Sequence, residues 1–291
     1  LLGRASFPSD SAWRAYVASY RDALPVRVLC DDHYEFTVAG DRGQFFENAS
    51  GLRSLADARG LPFWAVVQLV EHTGYRALSA GELRWQPSNL LAYGARGIGV
   101  FTYWTPPPAP AWNWQPAVIA RDGSRTPWYA VLEAFHARLR PAGERLAGMR
   151  WISTQLTAPP PPGASAFAGD DWVSAIEGRA TLGRFVDGAG VPHFVIVNRD
   201  SLVSRTLGLE LRGVTGVTRL DEFGAGSALP LSGVQGARRV ALELAAGDFA
   251  LLRLDGTERG DGGLRLGPAG AVLAAPVRGT ARFALARVGA G

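Results

Sequence analysis

The chain has 291 residues, 47% hydrophobic and 19% charged, which is enough apolar material for one large core or two moderate ones and excludes a disordered chain. No apolar run approaches the roughly 20 residues needed to span a bilayer. The net charge of +4 arises from 30 basic residues, all of them arginine, interspersed with 26 acidic ones. No arginine stripe with interleaved aromatics marks a nucleic-acid partner, so neither nucleic acid nor membrane is expected. A single cysteine, Cys30, excludes an internal disulfide and a zinc site built on paired cysteines. His33, His72, His136 and His193 are too scattered for a metal cluster, so no metal or cofactor is expected. Abundant Ala and Gly without lysine read as GC-rich bacterial coding. The chain opens on Leu1-Leu2-Gly3 and its one methionine is Met149, so the natural start is expected upstream and localisation is not read from these residues.

Along the N-terminal half, helical and extended patterns alternate. Ser9 or Asp10 can cap a helix to about Leu24, with Trp13, Tyr16, Val17 and Tyr20 at helical spacing. Pro25 stops it, and a strand follows with Val26, Val28 and Cys30 on one face, running into Asp31-Asp32-His33-Tyr34. A helix over 45–59 ends at Gly60, and the apolar run 62–70 predicts a strand covered on both faces. The capping box Ser79-x-x-Glu82 starts a helix reaching Gly94, kinked at Pro87. A third buried strand follows over 97–104. After a Pro/Trp-rich loop, Pro127 at the first helical position starts a helix to about Leu139. Strands alternating with helices predict a parallel sheet with right-handed crossovers.

Composition changes after Met149. Residues 151–164, with the run Pro159-Pro160-Pro161-Pro162, read as a stiff linker. Beyond it, short strands at 180–187, 191–198, 205–211, 216–221, 238–244 and 248–254 predict an antiparallel β-sandwich over 165–256. The Gly-rich tail 257–291 has two further candidate strands, 271–277 and 280–288.

The segment from Glu82-Leu83-Arg84-Trp85-Gln86 through Leu91-Ala92-Tyr93-Gly94-Ala95-Arg96-Gly97-Ile98 to Phe101-Thr102-Tyr103-Trp104 resembles the last helix–strand unit of a clan A glycoside hydrolase barrel. The resemblance is to bacterial β-galactosidase-like (family 42-like) and related glycosidases. Gly183-Arg184-Phe185-Val186-Asp187, His193-Phe194-Val195-Ile196-Val197-Asn198-Arg199-Asp200 and Leu244–Leu252 resemble the small β-domain that often follows such barrels. The resemblance covers roughly residues 10–255. It implies a fold of α/β plus all-β class: a partial (β/α)8 barrel, its last three βα units over 1–150, followed by the sandwich. The three strands would then be the sixth to eighth of the family's barrel, with five upstream.

The implied activity is hydrolysis of O-glycosyl bonds, with a carbohydrate as partner. This chemistry needs two carboxyl groups across the scissile bond. The family places its acid/base after the fourth strand, which has no counterpart here, and its nucleophile after the seventh, where Glu71 stands. Strand alternation weighs against Glu71: if Gln68 points into the barrel, Glu71 points away unless a bulge intervenes. Gln68 itself is a candidate substrate contact. The polar quartet after the first strand offers Tyr34 or His33 to orient the nucleophile and Asp32 to hold sugar hydroxyls, or else caps the barrel rim. Trp104 ends the last strand, where the resemblance implies an aromatic floor for a sugar, and Trp112 and Trp114 extend that platform or pin their own loop. A lone Glu71 and an open half barrel imply that the chain by itself is inactive and prone to associate. The competing reading is a non-catalytic carbohydrate-binding or structural protein built on a degenerate half barrel.

Overall fold

Ser9 opens the first helix as its hydroxyl predicts. In the computed structural model, which describes residues 3–220, 226–234 and 236–257, that hydroxyl accepts from the Ala12 N–H and caps α1 (Asp10–Ala23). Trp13 and Val17, about one helical turn apart, are fully buried, while Tyr20 is exposed. The first strand corrects the sequence reading. It is not 25–30 but β1 (Leu29–His33), so Asp31, Asp32 and His33 lie within the strand rather than after it. Leu29, Asp31 and His33 alternate onto the buried side, and Asp32 onto the exposed one. A buried aspartate is tolerable there because Asn48, from the next helix, donates its Nδ2 to Asp31 Oδ2 at 2.6 Å. A small hairpin not foreseen in the sequence follows, β2 (Phe36–Thr37) with β3 (Gly40–Asp41), and then α2 (Phe45–Asp57).

Three more elements complete the parallel unit: β4 (Phe63–Gln68), α3 (Ala80–Ala92) and β5 (Gly97–Phe101). The strands pair parallel in the order β1-β4-β5, with Leu29 opposite Phe63 and Ala65 opposite Ile98. One face of this sheet carries the core, where Trp13, Leu29, Leu52, Phe63, Val67 and Leu83 pack together. The other face is open, which corrects the expectation that β4 is covered on both sides and β5 buried. Trp64 on β4 is 48% exposed, Asp32 and Gly99 are exposed, and Gly97 has no side chain because the Trp64 indole lies across it. A Cβ on Gly97 would sit 2.6 Å from that ring. Among the described residues β1 and β5 each have one strand neighbour, so both sheet edges are open.

The helix expected to stop near Leu139 continues as α4 (Pro127–Ala147), straight through Pro141. An internal proline costs about 3 kcal/mol in an isolated helix. Here the extra turns bury Ala142 and Leu146 against Phe185, Val195 and Leu251 of the following domain. No helix among the described residues is long and apolar enough to cross a membrane.

The second unit begins earlier than the expected linker allows. β6 (Arg150–Leu156) already pairs with β8 (Ala180–Val186), so residues 150–156 are a sandwich strand and the four prolines form a loop between strands. That loop is seated rather than free, with Gly163 against the Glu47 backbone. β7 (Val173–Glu177), β9 (Pro192–Asn198), β10 (Arg205–Leu211), β11 (Val214–Leu220), β12 (Gly226–Ala228), β13 (Ser232–Val234), β14 (Ala237–Leu244) and β15 (Phe249–Thr257) complete the set. They form a four-stranded sheet, β13-β14-β10-β7, over a six-stranded sheet, β12-β11-β15-β9-β8-β6. Leu182, Ile196, Leu207, Leu209, Leu242 and Leu252 fill the space between them. The candidate strands at 271–277 and 280–288 lie outside the described residues.

Helix α3 joins the two units. Its capping box forms as the sequence predicts, and it is buried along nearly its whole length. Its backbone approaches the six-stranded sheet so closely that a Cβ on Gly183 would come within 2.3 Å of Ala92 O. Polar pairs fix the contact: Trp85 Nε1 donates to Arg199 O at 3.0 Å and Thr181 Oγ1 to Asn89 Oδ1 at 2.7 Å.

Candidate functional site

The carboxyl ends of β1, β4 and β5 converge on one end of the parallel sheet, where open α/β sheets place their sites. There the sequence concentrates aromatic residues in the segments that leave each strand. Tyr34, just after β1, stacks on Phe101, the last residue of β5, with centroids 5.6 Å apart. The two rings thus reach toward each other from the strands that flank β4. After β4 the chain turns at Gly74, whose φ of 85° suits a residue without a Cβ, and His72 and Tyr75 bond across the turn. Tyr75 meets Tyr34 edge-on at 5.4 Å, and its ring lies 4.6 Å from His72. On its other flank His72 stacks on Trp114 at 4.5 Å, and Trp114 stacks on Trp112 at 5.5 Å and 14°. The loop carrying both tryptophans is anchored by Thr73 N–H to Trp112 O and Gln115 N–H to Glu71 O. Trp112 presents 52% of its surface to solvent, so this run of rings ends in an exposed indole face.

Protonation states follow from burial. The Val70 carbonyl lies 2.9 Å from His72 Nδ1, and a carbonyl only accepts, so Nδ1 carries the proton and Nε2 is the acceptor. Burial pushes the imidazole pKa down, which keeps it neutral at neutral pH. Burial raises the Tyr34 phenol well above its usual range, and the nearby Asp32 carboxylate adds to this, so Tyr34 remains a hydrogen-bond donor.

The structure separates the candidate residues into four groups. Tyr34, Trp112 and Trp114 join the ring cluster, with Asp32 beside Tyr34 on the open face of the sheet. Glu71 is exposed, and its backbone is tied to the tryptophan loop. Regular pairing ends at Gln68, after which Leu69 and Val70 both donate to Phe101 O, so strand alternation does not extend to Glu71.

Gln68 and His33 do not face the site. Gln68 is fully buried, accepting from Phe36 N–H at 3.0 Å and donating to Phe36 O at 2.9 Å and Arg76 O at 3.2 Å, so its amide is used up in holding two loops together. His33 lies on the helix side of β1, its ring edge-on to Phe45, with Nε2 2.8 Å from Glu35 Oε2. Glu35 in turn accepts from Gly43 N–H at 2.6 Å, which makes this pair a clamp on the β2–β3 hairpin. Trp104 stands apart: it bridges to Ile119 outside β5, is 52% exposed and passes Gly123.

Sequence reasoning did not single out His72, Tyr75 or Phe101. The available signal was the recurrence of aromatic residues in the segments that follow each strand, at Tyr34, His72, Tyr75 and Tyr103.

No known family model matches the chain, and no curated protein does. Solved structures do. A rhamnosidase from Novosphingobium sp. PP1Y aligns with a TM-score of 0.52 at 7% identity, over 87% of this chain and 36% of that one. A GH51 arabinofuranosidase from Xanthomonas axonopodis pv. citri aligns with a TM-score of 0.36 at 16% identity, over 84% and 56%. The catalytic domain of GH30 xylanase C from Talaromyces cellulolyticus gives 0.29 at 12% identity, over 84% and 67%. The likeness to the rhamnosidase is one of fold, and this chain spans about a third of that protein's length. All three of these neighbours are glycoside hydrolases, and the fold is like that of the rhamnosidase. The more specific family-42 likeness finds no support among them.

Proposed function

We propose that this chain forms one wall of a carbohydrate-cleaving site, with the ring cluster as its sugar-stacking surface and Glu71 as one of the two carboxyl groups of a glycoside hydrolase. The observation that carries the reading is the run of contacting rings ending in the exposed Trp112 at the carboxyl ends of three parallel strands. The axial C–H face of a pyranose packs on such an aromatic plane, while hydroxyls turn outward to polar groups such as Asp32. Glycosidic cleavage divides the work: one carboxyl group protonates the leaving oxygen, and the other attacks the anomeric carbon or activates water. In this proposal Glu71 does one of these, and its partner carboxyl comes from strands that would pair with the open edges of β1 or β5 and cover the face of Trp64. The partial-barrel reading rests on that open face, with the helices among the described residues packing on the opposite, core side.

The test is a tryptophan-fluorescence titration of the chain with a panel of oligosaccharides, followed by assays on aryl glycosides. We expect saturable quenching that moves to up to about tenfold higher saccharide concentration in Trp112→Ala, and no turnover by the chain alone. An absence of any saccharide response would overturn the reading, and turnover abolished by Glu71→Gln would show that both carboxyl groups lie within these residues. Saccharide binding with no gain of activity in any larger assembly would favour the non-catalytic reading, for which the open three-stranded sheet is the supporting observation.

A further inference from the structure

The rim of the ring cluster carries two guanidinium groups that are held in place without a carboxylate. Arg42, which follows the β2–β3 hairpin, donates from Nη2 to the Tyr75 hydroxyl at 3.0 Å, and its guanidinium carbon lies 5.3 Å from the Tyr75 ring centroid. Tyr75 is itself part of the cluster, against Tyr34 and His72, and the isolated bridge between Thr37 and Tyr75 ties this turn to the hairpin. At the tryptophan end, Arg121 donates from Nε to Pro106 O at 2.8 Å and from Nη2 to Trp114 O at 3.1 Å. Among the described residues no ion pair takes up either group.

The neighbouring arginine shows the contrast. Arg76 also lies over an aromatic ring, that of Phe36, but it is neutralised by Glu82 at 2.6 Å and Asp41 at 2.9 Å. Asp41 is adjacent to Arg42 in sequence and yet pairs with Arg76. Arg42 is therefore ordered by a neutral ring and hydroxyl, is exposed, and keeps most of its five donors available. A planar donor fork fixed beside a sugar-stacking surface matches the geometry of a carboxylate, which accepts two parallel N–H bonds.

We infer that the site takes an acidic saccharide, one bearing a uronic acid, whose carboxylate is received by Arg42 at the Tyr75 end, with Arg121 supplying a second positive group at the Trp114 end. This inference rests on the carbohydrate reading above. Asp32 and Glu71 make the same end of the sheet acidic, and an anionic ring would be repelled without a fixed cation beside it.

The test compares matched pairs of trisaccharides, glucuronate- or galacturonate-containing against neutral, by tryptophan-fluorescence titration at low salt. A charge-assisted bidentate contact predicts a preference of about tenfold for an acidic member. That preference should shrink as salt is raised from 20 to 300 mM, with the rim screened over about 8 Å at physiological strength. In Arg42→Gln the acid-over-neutral ratio should fall towards one, and in Arg42→Lys, which keeps the charge and loses the fork, it should fall part of the way. Arg140→Gln, a remote exposed arginine paired with Glu144, should keep it. Equal affinity for acidic and neutral members of both pairs overturns the inference and leaves the carbohydrate reading standing. So does an Arg42→Gln variant that retains the full preference. Binding of neither class overturns both.

Discussion

Neutralising Asp31 isolates a single buried charge. In the folded chain its carboxyl pKa is pushed up to about 7, chiefly by burial, with the Asn48 hydrogen bond working in the opposite direction and the Asp32 charge adding to the rise. One carboxylate oxygen accepts from Asn48 Nδ2 and the other has no hydrogen-bond partner among the described residues. In the unfolded chain the same group titrates near 3.8. The folded state therefore holds the proton more tightly. Its contribution is fully present below about pH 4, declines as pH rises towards 7, and is gone above that. The shift of roughly three units corresponds to about 4 kcal/mol between those limits. Asp31→Asn keeps the acceptor for Asn48 and removes the charge. Its own amide donors add a pH-independent penalty of about 1–3 kcal/mol if they find no acceptor. The quantity to measure is the difference in urea-unfolding free energy between variant and wild type at pH 4, 5.5, 7 and 8, because other carboxylates cancel in the difference. We expect the variant to gain on the wild type by up to about 4 kcal/mol between pH 4 and 8. A difference that stays flat with pH would refute the reasoning.

Further outcomes follow from packing and exposure. Gly183→Ala places a methyl group 2.3 Å from Ala92 O and should cost about 1–3 kcal/mol, read as a lower urea midpoint. Trp13→Ala empties a fully buried site and should cost about 3–5 kcal/mol, read the same way. Trp112→Ala, at an exposed indole, should change the melting free energy by no more than about 0.5 kcal/mol while weakening saccharide binding by up to about tenfold in titration. Limited proteolysis in the loop around Pro159–Gly163 should yield pieces that stay together on gel filtration, because α3 and α4 hold both units; pieces that elute separately would contradict the shared core.

What could be read from the sequence was local. The Ser9 cap, the capping box at Ser79 and Glu82, the proline start at Pro127 and the strand over Arg205–Leu211 each depend on neighbours a few residues away, and each is present. The misreadings were decided at a distance. Asp31-Asp32-His33 reads as polar residues beyond the strand until Asn48, from the next helix, supplies a partner for the buried Asp31. Residues 151–156 read as linker because the strand they pair with, Ala180–Val186, lies beyond the proline run. At the site, Tyr34, Trp112 and Trp114 were visible as strand-end and loop aromatics. His72 and Phe101, which join them into one surface, depend on a turn geometry that residue spacing does not encode.

Helix α3 has no solvent side to which substitutions could be relegated. Leu83 packs in the parallel unit, Leu91 and Ala92 pack against the six-stranded sheet, and Gln86 and Asn89 between them are buried with assigned partners. Ordinary surface helices tolerate drift on their outer face, but here nearly every position is read by one neighbour or the other. The sandwich therefore cannot be transplanted onto another parallel unit by joining chain ends alone; the graft has to carry this helix with it. Fitting a different trailing domain would mean redesigning most of these thirteen residues together.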